Sequence, residues 1–244
     1  MPPDTVLRLA GAWKSRGSPP GQFRLHVLDF AVRRGEFVAL VGDSGCGKST
    51  MLDMLALISR PDEVDGFAMA AGGREWDLAA LWREEREDEL AALRSSAIGY
   101  VLQTGGLLPF LTVAGNADLV AQLAGQVPDQ ERPLALAIRL GIKEKLGQKP
   151  FQLSGGERQR AAILRALIHR PGVILADEPT AAVDRTTAVR IIDDFHSAAR
   201  AEGATIVMVT HDLGLIDGRA DRRYGFTVEE TANGVMSTCS EMTV

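Results

Sequence analysis

Residues 41–50 read VGDSGCGKST, with glycines at 42, 45 and 47, then a lysine and two hydroxyl side chains, all behind the apolar run EFVAL. The run from Gly42 to Ser49 fits G-x-x-x-x-G-K-[ST], and its flanks suit a strand before it and a helix, STMLDMLALIS, after it. Phosphate chemistry accounts for these residue types. Glycines let the backbone bend around phosphate oxygens with its N–H groups turned inward, where a side chain would block the approach. Lys48 adds a point charge for the β- and γ-phosphates, Ser49 offers a hydroxyl to Mg²⁺, and the helix N-terminus contributes the positive end of its dipole. Kinases, GTPases, motors and transport ATPases all use such a cradle, so it names the ligand and leaves the task open.

Two further stretches narrow the task. In GVILADEPT an apolar strand ends in Asp177 and Glu178, so two carboxylates emerge where a parallel strand delivers ligand-binding groups. Asp177 would help hold Mg²⁺, and Glu178 would orient or deprotonate the water that attacks the γ-phosphate. Adjacent acids at a strand end also suit a helix cap or a solvated turn. LSGGERQR, residues 153–160, sets Ser154, Gly155 and Gly156 at the start of a helix rich in Arg and Glu. Such a start can offer N–H groups and a hydroxyl to a second phosphate, or serve only as an N-cap.

Taken together, GDSGCGKST, LSGGERQR and VILADEPT closely resemble the motifs of ATP-binding cassette proteins, over about residues 6–225. The resemblance implies a P-loop NTPase core with a parallel sheet, a small antiparallel β subdomain and an inserted α-helical subdomain of about residues 104–165, the whole of residues 1–244 being one nucleotide-binding domain. It implies ATP and Mg²⁺ as ligands, with Gly42, Ser44, Gly45, Cys46, Gly47, Lys48, Ser49 and Thr50 around the nucleotide, and Ser49, Gln103 and Asp177 around the metal. Gln103, in IGYVLQ, looks like the glutamine that touches Mg²⁺ and the attacking water and marks the hinge into the helical subdomain. His211, ending IVMVTH, looks like the histidine that contacts the γ-phosphate. Lys48, Gln103, Glu178 and His211 are then the catalytic set. Ser154, Gly155 and Gly156 act on the nucleotide held by a second copy, and Asp184, in TAAVD, matches the loop that crosses to that copy. Two cassettes would pair head to tail around ATP, and hydrolysis would release them.

IGYVLQTGGLLPFLTVAGNADL, with LGQKPFQLSGGERQRAAILRAL after it, is most similar to the ATPases of lipoprotein-release and macrolide-export systems. That branch implies integral membrane subunits as partners and a peripheral place on the cytoplasmic face of the membrane, with apolar GGLLPFLTV receiving a partner's short helix. A nutrient importer shares every catalytic motif and stays open as the first alternative, with a cassette ATPase outside transport as the second. Three departures stand out. Ser15 or Arg16 falls where the family has an adenine-stacking aromatic, with Trp13 and Phe23 nearby. AAVD replaces the commoner form of its loop, and the tail after His211 reads as two short strands around ANG.

The elements that must position these residues are legible as well. FVALVG, IGYVLQ, GVILAD and TIVMVTH are short apolar runs of the kind buried on both faces of a parallel sheet, separated by helix-length segments. VLRLAGAW and FRLHVLDFAVRRG, joined by RGSPPGQ, suit an antiparallel pair. WDLAALWREEREDELAALRSSA has the spacing of one amphipathic helix, longer than usual for the family. LTVAGNADLVAQLAG and ERPLALAIRLGIKEKLG give two more helices, with breaks expected at Pro128 and Pro133. The net charge of −5 and the lack of a basic run exclude nucleic acid as a partner. Two cysteines imply no disulfide framework and a reducing compartment, and no window has the length of a membrane span.

Overall fold

The computed structural model describes residues 2, 4–127, 129, 131–181 and 183–242. In chain order its elements are β1 (Thr5–Arg16), β2 (Gln22–Arg33), β3 (Phe37–Val41), α1 (Lys48–Leu55), β4 (Gly66–Ala71), β5 (Arg74–Asp77), α2 (Leu78–Arg83), α3 (Glu87–Ala97), β6 (Ile98–Val101), α4 (Val113–Leu123), α5 (Glu131–Arg139), α6 (Gly155–Leu167), β7 (Val173–Asp177), α7 (Arg185–Ala201), β8 (Thr205–Thr210), α8 (Leu213–Ile216), β9 (Arg222–Thr231) and β10 (Gly234–Glu241). This is the mixed α/β class expected from the alternation of apolar runs and helix-length segments. The chain forms two compact units, residues 1–94 with 207–244 and residues 95–206. Among the described residues no helix is long and apolar enough to cross a membrane.

In the first unit β1 and β2 pair antiparallel, and β4 and β5 extend that pairing beyond β1. Alternation decides which side is buried: Leu25 and Val27 are covered while Arg24 and Leu28 are exposed. β3 is buried along all five residues, as a strand covered on both faces must be. The tail does more than form the expected hairpin. β9 runs parallel to β3, β10 runs parallel to β2, and the two pair with each other, so the last strands knit the apolar strand ahead of the glycine loop to the antiparallel patch. Strands of ten and eight residues replace the two short ones read from the sequence.

Two other expectations need correction. The single long helix around Trp82 is instead β5, α2 and α3. Trp76 lies in β5, Asp77 caps α2 by accepting from the Ala80 N–H at 2.9 Å, and Glu85 at φ 55° ends that helix. Leu78 and Leu81 before the break and Leu90 and Leu93 after it each keep the i, i+3 spacing of a helix face, which is why periodicity missed it. The β4–β5 hairpin, which that reading overlooked, turns on Gly72 and Gly73 at φ 59° and 78°, a backbone that two glycines adopt without steric penalty.

In the second unit β6 and β7 pair in parallel, and α6 packs against β6, α4, α5 and α7. Gly99 in β6 lies so close to the Ala166 carbonyl that any Cβ would strike backbone. Pro133 does not break its segment: it occupies the first turn of α5, where its missing N–H has no intrahelical partner to lose. Pro128 lies outside the described residues. The loop ahead of α4 is held from within by Asn116, 2% exposed. Its Oδ1 accepts from Leu108 N–H at 2.7 Å, and its Nδ2 donates to the carbonyls of Leu108 at 3.2 Å and Thr112 at 2.9 Å.

Candidate functional site

The first unit carries the glycine loop. β3 ends at Val41, and α1 starts at Lys48 behind an N-cap, Gly47, at φ 105°; no side chain caps this helix and its first turn holds no acid. A helix opens with four N–H groups that lack intrahelical partners, so this start presents donors and positive potential with neither a side-chain cap nor a first-turn acid to offset them. Gly45, at φ 80°, supplies the second left-handed turn. Lys48 is 5% exposed, and its Nζ donates to the carbonyls of Gly42 at 2.7 Å and Asp43 at 2.6 Å, which folds the loop around its own ammonium. A buried charge set among carbonyls and helix N–H groups suits the phosphates of a nucleotide.

Support for the loop comes from the tail. Ser237 Oγ in β10 donates to the Cys46 carbonyl at 2.6 Å. Cys46 and Cys239 are buried free thiols, and burial pushes the Cys239 thiol up to about 12, so it stays a neutral packing group. Phe23 lies over the loop from β2: its Cζ is 2.9 Å from where a Gly47 Cβ would be. Arg16 faces Phe23 across the ladder and pairs with Asp53 of α1 at 2.9 Å. Trp13 occupies the opposite face of the strand, stacked on His26 at 3.9 Å with Arg24 4.7 Å from its ring. Of the two aromatic residues near the vacant base-stacking position, Phe23 is therefore the one turned toward the loop. His211 follows β8, ahead of α8, which Asp212 caps by accepting from Gly214 N–H at 2.9 Å.

The remaining residues singled out from the sequence belong to the second unit. Asp177 ends β7, and Glu178 follows at φ 42°, a left-handed backbone that costs a non-glycine residue about 1–2 kcal/mol. Strain of this kind concentrates where a side chain must be aimed. Asp184 caps α7, its Oδ1 accepting from Thr187 N–H at 3.0 Å and its Oδ2 from the Thr187 hydroxyl at 2.6 Å; these bonds hold its carboxyl below the usual range. Ser154 caps α6 in a reciprocal box: its Oγ accepts from Glu157 N–H at 3.3 Å, and Glu157 Oε2 accepts from Ser154 N–H at 2.9 Å. Gly155 and Gly156 form the first turn behind it, and a Cβ on Gly156 would lie 3.0 Å from Thr187 Cγ2.

Gln103 sits on a tight turn just after β6, closed by Gly105 N–H donating to the Leu102 carbonyl at 2.8 Å. Arg165 of α6 reaches the two ends of this segment, donating to the carbonyls of Tyr100 at 3.0 Å and of Gly106. Sequence reasoning missed Arg165, Asn116 and Ser237, because no local spacing announces a side chain whose partners are distant carbonyls.

A family model described as ABC transporter matches residues 25–181. The macrolide export ATP-binding/permease protein MacB of Bartonella henselae is 40% identical over 215 residues, covering 85% of this chain and 30% of that protein. The ABC transporter ATP-binding protein YbbA of Escherichia coli is 38% identical over 227 residues, covering 91% of this chain and 94% of that one. Among solved structures, the dimeric bacterial ABC transporter cassette MJ0796 matches with a TM-score of 0.76 at 30% identity, over 90% of this chain and 94% of that chain. A post-hydrolysis dimer of the same cassette, bound to ADP and Pi, matches with a TM-score of 0.74 at 30% identity over the same shares. The chain belongs to the ABC transporter family, and the part it represents is the ATPase cassette. It spans 30% of the length of the macrolide-export relative.

Proposed function

We propose that this chain binds Mg-ATP and hydrolyses it as the cassette of a membrane ABC complex of the lipoprotein-release and macrolide-export type. The observation that carries the reading is the start of α1, where left-handed glycines, a buried Lys48 and an uncapped, acid-free first turn make a cradle for phosphate. Gly42, Ser44, Gly45, Cys46, Gly47 and Thr50 shape that cradle, and Lys48 meets the β- and γ-phosphates. Ser49, Gln103 and Asp177 carry the hard oxygen donors that Mg²⁺ takes alongside phosphate and water. When bound, the ion withdraws negative charge from the phosphates. Glu178 orients the attacking water and accepts its proton as the oxygen attacks the γ-phosphorus. The bond from that phosphorus to the β,γ-bridging oxygen breaks, and ADP and phosphate leave. His211 contacts the γ-phosphate.

Residues 1–244 act as one cassette, with the helical segment of about 104–165 as an insertion. Two copies pair head to tail, each offering Ser154, Gly155, Gly156 and the Asp184 loop to the nucleotide of the other. Ser154 supports this role, since its oxygen accepts from Glu157 while its hydroxyl hydrogen can still be donated. Integral membrane subunits receive the motion, and the cassette works peripherally on the cytoplasmic face. The apolar segment after Gln103 suits the partner's helix, with Phe110 66% exposed.

The test is Glu178→Gln, purified from detergent-solubilised membranes with Mg-ATP. Hydrolysis is expected to fall by about 10²–10⁴-fold with nucleotide binding retained, and a membrane protein with few spans and a large extracytoplasmic domain should accompany the trapped dimer. Hydrolysis at the parental rate would remove Glu178 from the role of general base. A many-spanning permease recovered with a solute-binding protein would move the assignment to import.

A further inference from the structure

Arg165 is half-buried, and burial pulls the pKa of its guanidinium below the ordinary arginine value. A charge is costly to bury, and leucine or methionine would fill the same space without that penalty. What the charge gains is two carbonyls: those of Tyr100 at 3.0 Å and of Gly106, which stand on either side of Gln103. The turn that carries Gln103 also rests on α6. A Cβ on Gly105 would lie 3.7 Å from Ala162 Cβ and 3.8 Å from Arg158 Cγ, so loop and helix are in contact along one helical face.

The other ties of α6 run to the signature segment and to α7. Arg158 donates to the Leu153 carbonyl at 3.3 Å, beside Ser154, and Arg160 pairs with Asp194 of α7 at 3.0 Å. A helix that bears Ser154, Gly155 and Gly156 at its start therefore also grips the loop of Gln103 two to three turns later.

We propose that Arg165 is a positioning residue that fastens the Gln103 loop to the signature helix, so that the two move as one body. The inference rests on the functional reading above, in which Gln103 serves the nucleotide of its own chain and Ser154 to Gly156 serve that of a second copy. Closing the helix onto the second copy's nucleotide then sets Gln103 at its own. One arginine thus couples the two sites of the dimer.

The experiment is a double-mutant cycle in steady-state ATP hydrolysis by the full chain, using Arg165→Lys, Gln103→Ala and both. Lysine keeps the charge but lacks the planar fork that reaches two carbonyls. Arg165→Lys should lower kcat by about 5–20-fold, a fraction of a general acid–base contribution, leave the nucleotide Kd within about twofold, and reduce the Hill coefficient for ATP. In the Gln103→Ala background it should add nothing, because its effect passes through Gln103. Gly105→Ala, which strains the same turn at its left-handed φ of 78° with the guanidinium intact, should give the same non-additive loss and keeps the test alive should the arginine variant not fold. Hydrolysis in which the substitutions multiply independently, or a fall in nucleotide affinity that matches the fall in rate, overturns the inference alone. No hydrolysis by the parental chain overturns the functional reading and this inference with it.

Discussion

Two helices of this protein begin with small residues and serve a phosphate reading, yet they begin in opposite ways. α1 starts from Gly47 with no side-chain cap and no acid in its first turn, while α6 starts from Ser154 with a complete capping box that includes Glu157. A helix start leaves four N–H groups to be satisfied, and a capping box takes two of them. The α6 start therefore satisfies half of its donors within its own chain. At α1 neither cap nor acid offsets the donors, and Lys48 adds its charge beside them. On the proposed function, the difference separates a site that holds phosphate by itself from one that adds a hydroxyl and a dipole once a nucleotide is presented to it.

Breaking the α1 start should have the larger effect. Lys48→Ala removes a charged donor, worth about 1.5–3 kcal/mol for a charge-assisted bond, so nucleotide affinity should fall by about 10–100-fold in an equilibrium titration. Unchanged affinity would mean that the uncapped N–H groups alone hold the phosphates. Ser154→Ala should act on the fold first. Loss of the cap costs about 1 kcal/mol and lowers the melting temperature by about 2–4 °C for a chain of this size, with nucleotide affinity of the isolated chain unchanged. A fall in affinity with no change in melting would invert the comparison, making α6 the holding site and its box incidental.

The contrast between the two starts also explains what the sequence disclosed. The α1 loop is legible because its spacing is its chemistry, and β3, β6, β7 and β8 are legible because strands covered on both faces are uninterrupted apolar runs. The capping box is legible too, as Ser154 followed three residues on by Glu157. The supports are not. Ser237 meets the Cys46 carbonyl across 191 residues, and Arg165 meets Gly106 across 59, with no local pattern to mark either. The break at Glu85 hides between two stretches of helical spacing, because the leucines on either side of it each keep the i, i+3 step. Phe23 and Trp13 are indistinguishable by spacing alone, and only strand register puts them on opposite faces.

The smallest effect gives the sharpest view of how α6 is completed. Glu157 has its carboxyl held below the usual range, first by the bond from Ser154 N–H and then by Lys145, whose Nζ is 3.2 Å away. A depressed pKa in the folded state means that the carboxylate stabilises the fold above the unfolded pKa, and that this gain is lost as pH falls through the folded value. Glutamine keeps the geometry of the box but carries no charge. Glu157→Gln should therefore cost about 0.2–1 kcal/mol at neutral pH, the range for a solvent-screened pair, and nothing in acid below the folded carboxyl pKa. Chemical denaturation of both chains across that range reads the difference directly. A deficit that persists in acid would assign the stabilisation to the shape of the glutamate rather than its charge. In that case an acid at the start of α6 would no longer be the electrostatic opposite of the lysine at the start of α1.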